Sequence, residues 1–284
     1  MKRNNLLLLF SFFLIPLFFF SCKRKPAEIV IVPDALKNHL QRVRLFENVK
    51  TVETFTYYFI RKDSSFLLSN RNVQYFSSDG FLNQVLIFDK NNDTVSNKKI
   101  YYLPNAKENF WKEYNYFEDS WRMDTFLYDK NGFKKEEQIL LNDSLLYKIE
   151  YKTDAIGGVI EMKRFLSDYH LTNLFYYNDK GLVERIDEYD PDNKMYKYFT
   201  IEYDNYGDEV NRRAFKTSNE IIEYTYTQYD ENGLLLKVIF EDRLHYFRED
   251  KIYPRHDLNK NWLEEIVLQG TDTVIKKERV IEYY

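Results

Sequence analysis

The chain has 284 residues, of which 44% are hydrophobic and 30% are charged, a composition typical of folded and not of disordered proteins. Its single Cys and four His, beside 25 Tyr and 23 Phe, exclude Cys-rich zinc sites and a disulfide scaffold. The formal charge of −4 disfavours a nucleic-acid partner, which would require a basic face.

Residues 1–21 predict a secretory signal peptide. A basic start at Lys2 and Arg3 is followed by an apolar run over residues 6–20, interrupted only by Ser11 and Pro16. This run is shorter than the roughly 20 apolar residues that a membrane-spanning helix needs. Removal of this segment would make the chain two charges more negative.

A small residue followed by Cys22 at the end of the apolar run resembles the lipobox of bacterial lipoproteins. An incidental or buried Cys is the alternative, but Cys22 is the only Cys and stands where lipidation requires it. The resemblance implies cleavage after Ser21, a diacylglycerol on the Cys22 sulfur and acylation of the new amino group, which together give stable anchoring. Residues 23–25 are basic, whereas similar surface-exposed lipoproteins of the Bacteroidota carry acidic residues there. We therefore expect the periplasmic face of the outer membrane.

Residues 22–50 predict a lipid-anchored linker that ends in one short helix. Pro33 and Asp34 can start this helix, and an apolar stripe from Leu36 to Phe46 follows at helical spacing. We expect the helix to cover an open edge of the following sheet. A helix lying on the membrane would need a larger apolar surface.

A repeated turn dominates residues 51–284. Its pattern is most often an aromatic residue, then Asp, Asn or Ser, two variable residues and Gly, which predicts a type I turn closed by a left-handed Gly. Asn105 and Asn261 fill the same register, and the eight positions are 24 to 28 residues apart. The predicted turn glycines are Gly80, Gly132, Gly157, Gly181, Gly207 and Gly233.

Polar breaks midway between these turns divide each repeat into two strands. The runs between these breaks alternate as strands do: Val238 and Phe240 share one face, and Lys237 and Ile239 share the other. Short loops favour antiparallel neighbours. The prediction is an all-β domain: a long, twisted antiparallel meander of about 16 strands with open edges, built from eight hairpin repeats.

The Tyr-Asp-x-x-Gly sequences at Tyr128, Tyr203 and Tyr229 resemble the YD repeat of RHS-type proteins. The period here is longer and the copies are few, so the toxin-shell function of those proteins is not carried over. The chain is more similar to short YD-like repeat lipoproteins of the Bacteroidota. That resemblance implies a location in the cell envelope and a fold, but no activity.

Motifs for catalysis, metals and cofactors are weak. The four His residues, at positions 39, 170, 245 and 256, have no metal-ligand spacing, and the dispersed Gly residues form no phosphate loop. Adjacent acids such as Glu136 with Glu137 and Glu264 with Glu265 would point to opposite faces of a strand. The role of the repeated Asp residues in the turns explains their presence, so they do not indicate a calcium site. We expect neither an enzyme nor a cofactor.

The sequence favours a non-catalytic, lipid-anchored scaffold or binding module of the cell envelope. Its expected partners are the membrane, through the anchor, and an envelope protein or glycan. The alternative is a carbohydrate- or peptide-binding lipoprotein that uses an aromatic face; a glycosidase is less favoured. Packing is the expected role of Trp111, Trp121 and Trp262. An accessible sheet edge would permit strand addition by a partner.

Overall fold

The fold is known from a computed structural model that describes residues 45, 47–60, 64–103, 107–167 and 169–284. Within these residues every regular element is a strand, and all pairings are antiparallel, which confirms the all-β antiparallel prediction. The strands are β1 (Val49–Ile60), β2 (Ser65–Phe76), β3 (Leu82–Asp89), β4 (Thr94–Tyr102), β5 (Glu108–Asn115), β6 (Ser120–Tyr128), β7 (Lys134–Leu141), β8 (Ser144–Thr153), β9 (Val159–Leu166), β10 (Tyr169–Tyr177), β11 (Val183–Tyr189), β12 (Met195–Tyr203), β13 (Glu209–Lys216), β14 (Ile221–Tyr229), β15 (Leu235–Asp242), β16 (Phe247–His256), β17 (Trp262–Gln269) and β18 (Asp272–Tyr283).

The sheet is closed, so the prediction of an open meander of 16 strands was wrong. Each strand pairs with the next, and β18 returns to pair with β1, where Val52 lies opposite Ile281. In the resulting 18-stranded barrel none of the described strands has an unpaired edge, because closure gives the backbone groups of both terminal strands a partner. Strand β1 precedes the first hairpin repeat and β18 follows the last, so counting repeats misses both.

Closure also removes the reason for a helix that covers an edge. The predicted helix and the signal peptide lie outside the described residues. The exception is Leu45, which is buried against Val49, Val52 and Phe76 beside the seam between β1 and β18. The chain therefore enters the barrel at the end that carries the Gly turns.

The turn after β6 shows how the repeated pattern determines local structure. Asp129 accepts bonds through Oδ1 from the amides of Asn131 (2.9 Å) and Phe133 (2.8 Å), while its carbonyl accepts a bond from the Gly132 amide at 2.9 Å. Gly132 has φ 80°, a conformation that costs most residues steric strain. All six predicted glycines lie in such turns, with φ between 70° and 94°.

One of the two Asn copies is shifted by a residue. The left-handed position of the last turn is Lys260 (φ 71°) and not Asn261, because Asp257 takes the first position and its carbonyl accepts a bond from the Lys260 amide. Asn261 is instead buried, and its Nδ2 donates to the Tyr283 hydroxyl at 2.7 Å. Asn105 lies outside the described residues.

The Gly233→Val substitution tests this turn geometry. Gly233 has φ 77°, and a β-branched residue there should lower the free energy of unfolding by about 1–3 kcal/mol. The exposed neighbour Asn232 contributes only its backbone to the turn, so Asn232→Ser should change stability much less. Urea denaturation of both variants measures this difference, and equal losses would argue against a left-handed requirement at position 233.

Four tyrosines that end even-numbered strands connect neighbouring turns. Each donates its hydroxyl to a backbone carbonyl at the start of the preceding strand, so a side chain satisfies an acceptor at the rim. These bonds run from Tyr102 to Leu82 (2.6 Å), Tyr128 to Glu108 (2.7 Å), Tyr177 to Val159 (2.8 Å) and Tyr203 to Val183 (2.8 Å). The aromatic residue of the repeat therefore links turns, a role that strand propensity alone does not indicate.

The register divides the side chains into two faces. One face holds most of the fully buried residues, and we assign it to the barrel interior because side chains converge on the concave side of a closed sheet. Its buried members are Val52, Ser96, Ile100, Asp124, Phe126, Ile139, Ile149, Ile201, Ala214, Glu265 and Val267. The outer face has fewer, such as Val73 and Asp187.

Candidate functional site

A group of charged and aromatic side chains lies on the inner face of β4, β5 and β6. Cross-strand register places Lys98 beside Glu113, Glu113 beside Arg122, and Trp111 beside Asp124. The Lys98 ammonium lies 3.4 Å from the centroid of the Trp111 ring, and the Arg122 guanidinium carbon lies 5.0 Å from it. Cations over an indole face are stabilised by the ring quadrupole. We call these five residues the Trp111 cluster.

Each carboxylate of the Trp111 cluster already has a donor. Arg122 donates from Nε and Nη2 to the two oxygens of Asp124 at 2.9 and 3.0 Å, and the Ser96 hydroxyl donates to Glu113 at 2.5 Å. Burial raises the pKa of Asp124, although the bonds from Arg122 oppose this shift. Burial also lowers the pKa of Lys98, against the attraction of Glu113. The cluster is desolvated and internally paired.

The network continues onto β7 and β8. Tyr151 donates its hydroxyl to Glu137 at 2.8 Å, and Arg122 reaches the Tyr147 hydroxyl at 3.5 Å. Burial is the main reason that the pKa of Tyr151 is raised, and the Glu137 carboxylate adds to it. Arg164, on the neighbouring strand, lies over the Tyr147 ring at 5.9 Å. Paired carboxylates of this kind hold side chains in place and offer no free acid and base to a substrate.

Adjacent acids diverge, as the alternation of strand faces predicts. Glu264 on the outer face lies within 3.2 Å of both Arg255 and Lys276, whereas Glu265 on the inner face contacts Lys277 at 2.6 Å. The carboxylates of such neighbours therefore do not share a site.

Ion pairs occur on both faces of the barrel. Inner pairs include Arg122 with Asp124, Lys251 with Glu249 and Lys277 with Glu265. Outer pairs include Arg71 with Glu53, Lys148 with Glu150, Arg185 with Asp187 and Arg213 with Glu202. Charged side chains therefore occur on both faces of the described strands.

The described part of the chain contains no helix with the length and apolarity required to cross a membrane.

The three described histidines do not converge. His245 is exposed and its Nδ1 lies 2.7 Å from Asp242, whose carboxylate raises the pKa of His245. His170 contacts the Phe165 ring, and His256 ends β16. Among the described residues no group of three or more His, Cys, Asp or Glu side chains is arranged to hold a metal. His39 and Cys22 lie outside the described residues.

Each of the three tryptophans packs against a cation. Trp121 on the outer face lies under Lys112 at 4.1 Å, and Trp262 lies under Arg279 at 3.4 Å. The six turn glycines all lie at one end of the barrel, because the strands alternate in direction. They form the turns and are not members of the Trp111 cluster. Lys98, Glu113 and Arg122 are not indicated by the sequence, since similar charges occupy most strands.

No family model matches the chain, and no curated protein matches it. Among solved structures it is similar to a porin-like protein from Bacteroides uniformis, with 12% identity, a TM-score of 0.45, and coverage of 82% of this chain and 98% of that one. A porin-like protein from Bacteroides vulgatus gives 11% identity, a TM-score of 0.33 and coverages of 81% and 97%. The Photorhabdus luminescens Tc holotoxin pore gives 11% identity, a TM-score of 0.36 and coverages of 80% and 16%, so the chain spans a small part of that protein.

Proposed function

We propose that the protein is a non-catalytic binding module of the cell envelope, held by a lipid on Cys22 at the periplasmic face of the outer membrane. The observation that carries this proposal is the presence of ion pairs on both faces of the barrel. Charged side chains are costly in a lipid-facing band, so this pattern supports a barrel surrounded by water, with membrane attachment supplied elsewhere in the chain. The lipobox-like sequence that ends at Cys22 supplies such an attachment.

Binding is favoured over catalysis because the acids of the Trp111 cluster, and the neighbouring Glu137, already have hydrogen-bond donors. Asp124, Glu113 and Glu137 each accept a bond from a neighbouring side chain. Strand addition at a sheet edge was an expected binding mode, but β1 pairs with both β2 and β18, which leaves no edge for a partner. The inner face, with its aromatic and charged side chains, is the surface that remains for a glycan or a peptide.

The Cys22→Ser substitution tests the anchor. We expect the variant to leave the membrane fraction and to enter the aqueous phase of a detergent partition, with an unchanged far-UV β signal, since the barrel does not depend on Cys22. Wild-type protein, labelled with palmitate, is the control and should stay in the membrane. A variant that accumulates as an unprocessed precursor would keep residues 1–21, so the fractionated chain is checked for their removal. Unchanged membrane partitioning of a variant that has lost these residues would contradict the proposal.

A further inference from the structure

The inner face of β1 and β2 carries five uncharged polar side chains in one block. The register places Thr54 opposite Asn72, Thr56 opposite Asn70, and Gln74 opposite Val52, so all five polar side chains share the inner face. Each is half-buried. Among the described residues, none of the five forms a side-chain hydrogen bond or an ion pair.

This lack of partners contrasts with similar residues elsewhere in the barrel. Gln84 donates to Asn97 at 2.9 Å, and Asn211 donates to Glu202 at 2.7 Å. Half-buried amides and hydroxyls usually find a partner, because leaving them unpaired away from water is costly. Five neighbouring side chains that retain free donors and acceptors form a surface able to bond a polar ligand.

Arg279 borders this block directly. It lies opposite Thr54 across the seam between β18 and β1, and its guanidinium is stacked on the Trp262 ring at 3.4 Å. Its Nε is buried and has no hydrogen-bond acceptor among the described residues. The nearby carboxylate of Glu265 contacts Lys277 at 2.6 Å. Within the part of the chain that the structure describes, Arg279 is therefore a cation without an ion-pair partner.

The electrostatic state of Arg279 agrees with this geometry. Burial lowers the pKa of Arg279 to about 10. This effect of burial is larger than the opposing effect of the Glu265 carboxylate. A desolvated guanidinium gains more from a bound anion than one in water does, since the interaction is less screened. Its planar fork also matches a carboxylate in a bidentate geometry.

We propose that Arg279 and the polar block of Thr54, Thr56, Asn70, Asn72 and Gln74 form a binding site for an acidic saccharide. The carboxylate of the sugar contacts Arg279, and its hydroxyls exchange hydrogen bonds with the Thr, Asn and Gln side chains. An acidic sugar suits the block because it offers many hydroxyls and carries charge only on its carboxylates. A peptide is less favoured, since no strand edge is free to pair with its backbone. This site deepens the proposed binding role and rests on it.

The test uses the soluble Cys22→Ser chain and calorimetric titration with three probes: trigalacturonic acid, neutral galactotriose and an acidic tripeptide. We expect the trigalacturonic acid to bind at least tenfold more tightly than the galactotriose. Arg279→Gln should remove that preference, and Asn72→Ala should weaken both saccharides. The matched control is Arg248→Gln, at an exposed outer-face Arg paired with Asp250, and it should change nothing.

Equal affinity for the acidic and neutral sugars, or an Arg279→Gln variant that keeps the preference, would overturn the proposal. So would binding of the tripeptide alone. Should Arg279→Gln fail to fold, Asn72→Ala and Thr54→Val still decide the question, because both alter the block without removing a charge. The saccharide results do not depend on anchoring. A Cys22→Ser variant that remains in the membrane would contradict the proposed attachment, whereas the saccharide titration tests the binding site alone.

Discussion

Val52→Asp is expected to unfold the barrel, whereas Val280→Asp is expected to leave it folded. Both residues lie at the seam that closes the sheet, Val52 on β1 and Val280 on β18. Val52 is fully buried with Leu45, Val49 and Phe76, while Val280 is 58% exposed on the outer face. An unpaired carboxylate at the buried position costs several kcal/mol, a large share of the roughly 5–15 kcal/mol that stabilises a typical domain.

Urea denaturation followed by far-UV circular dichroism compares the two variants. For Val280→Asp we expect a change of about 0.5 kcal/mol or less, as for other exposed sites. Hydrogen exchange on the wild-type protein gives a second measurement: the amides of β1 and β18 should exchange as slowly as those of strands far from the seam, such as β12. Fast exchange confined to both terminal strands, together with a folded Val52→Asp variant, would mean that the seam is open.

The turns could be predicted from the sequence because their signal is local. A turn such as the one from Asp204 to Asp208 needs only an acceptor side chain at its first position and Gly at its fourth, and the Asp204 carboxylate accepts bonds from the amides of Tyr206 and Asp208. The shifted register at Lys260 shows the limit of this approach. There the Asp at position 257, and not the Asn, identifies the turn.

Closure could not be predicted, because β1 and β18 are more than 200 residues apart and no local pattern pairs them. Charged side chains near a chain end can protect a strand edge from pairing, but those on β18 lie within the paired seam. Glu282 accepts bonds across the seam from Lys50 (2.7 Å) and Thr51 (3.3 Å), and Arg279 faces the interior. The sequence does not distinguish two roles of a charged residue on the last strand. It can discourage pairing with another chain, or it can bond to the first strand of the same sheet.

The candidate site was predicted less well than the fold. Trp111 was assigned to packing, and it does pack, but against Lys98 and Arg122. Sequence alternation identifies which residues share a face of one strand, but not which face lies inside a closed barrel. That assignment depends on closure, so the Trp111 cluster and the block beside Arg279 both required the complete sheet.

The Arg122→Met substitution should destabilise the barrel by about 2–4 kcal/mol, because it leaves the carboxylate of Asp124 buried without its bidentate donor. The side chain of Asp124 is 4% exposed and that of Arg122 is 40% exposed. We therefore expect a loss below that of a fully buried pair. The double variant Arg122→Met with Asp124→Leu should recover much of the loss, because neither charge then remains.

The pH dependence separates this explanation from simple loss of packing. Burial raises the pKa of Asp124, and the bonds from Arg122 oppose that shift. Without Arg122 the folded-state pKa rises further above the unfolded value of about 3.9. A group of this kind weakens the folded state when it is ionised, so the cost is present above the folded-state pKa and is relieved as the pH falls below it. The gap between Arg122→Met and wild type, measured by urea denaturation, should be smaller at pH 4 than at pH 7. The double variant has no carboxyl at position 124, so its gap from wild type should not shrink as the pH falls. An equally large gap at both pH values in Arg122→Met would assign the loss to packing alone.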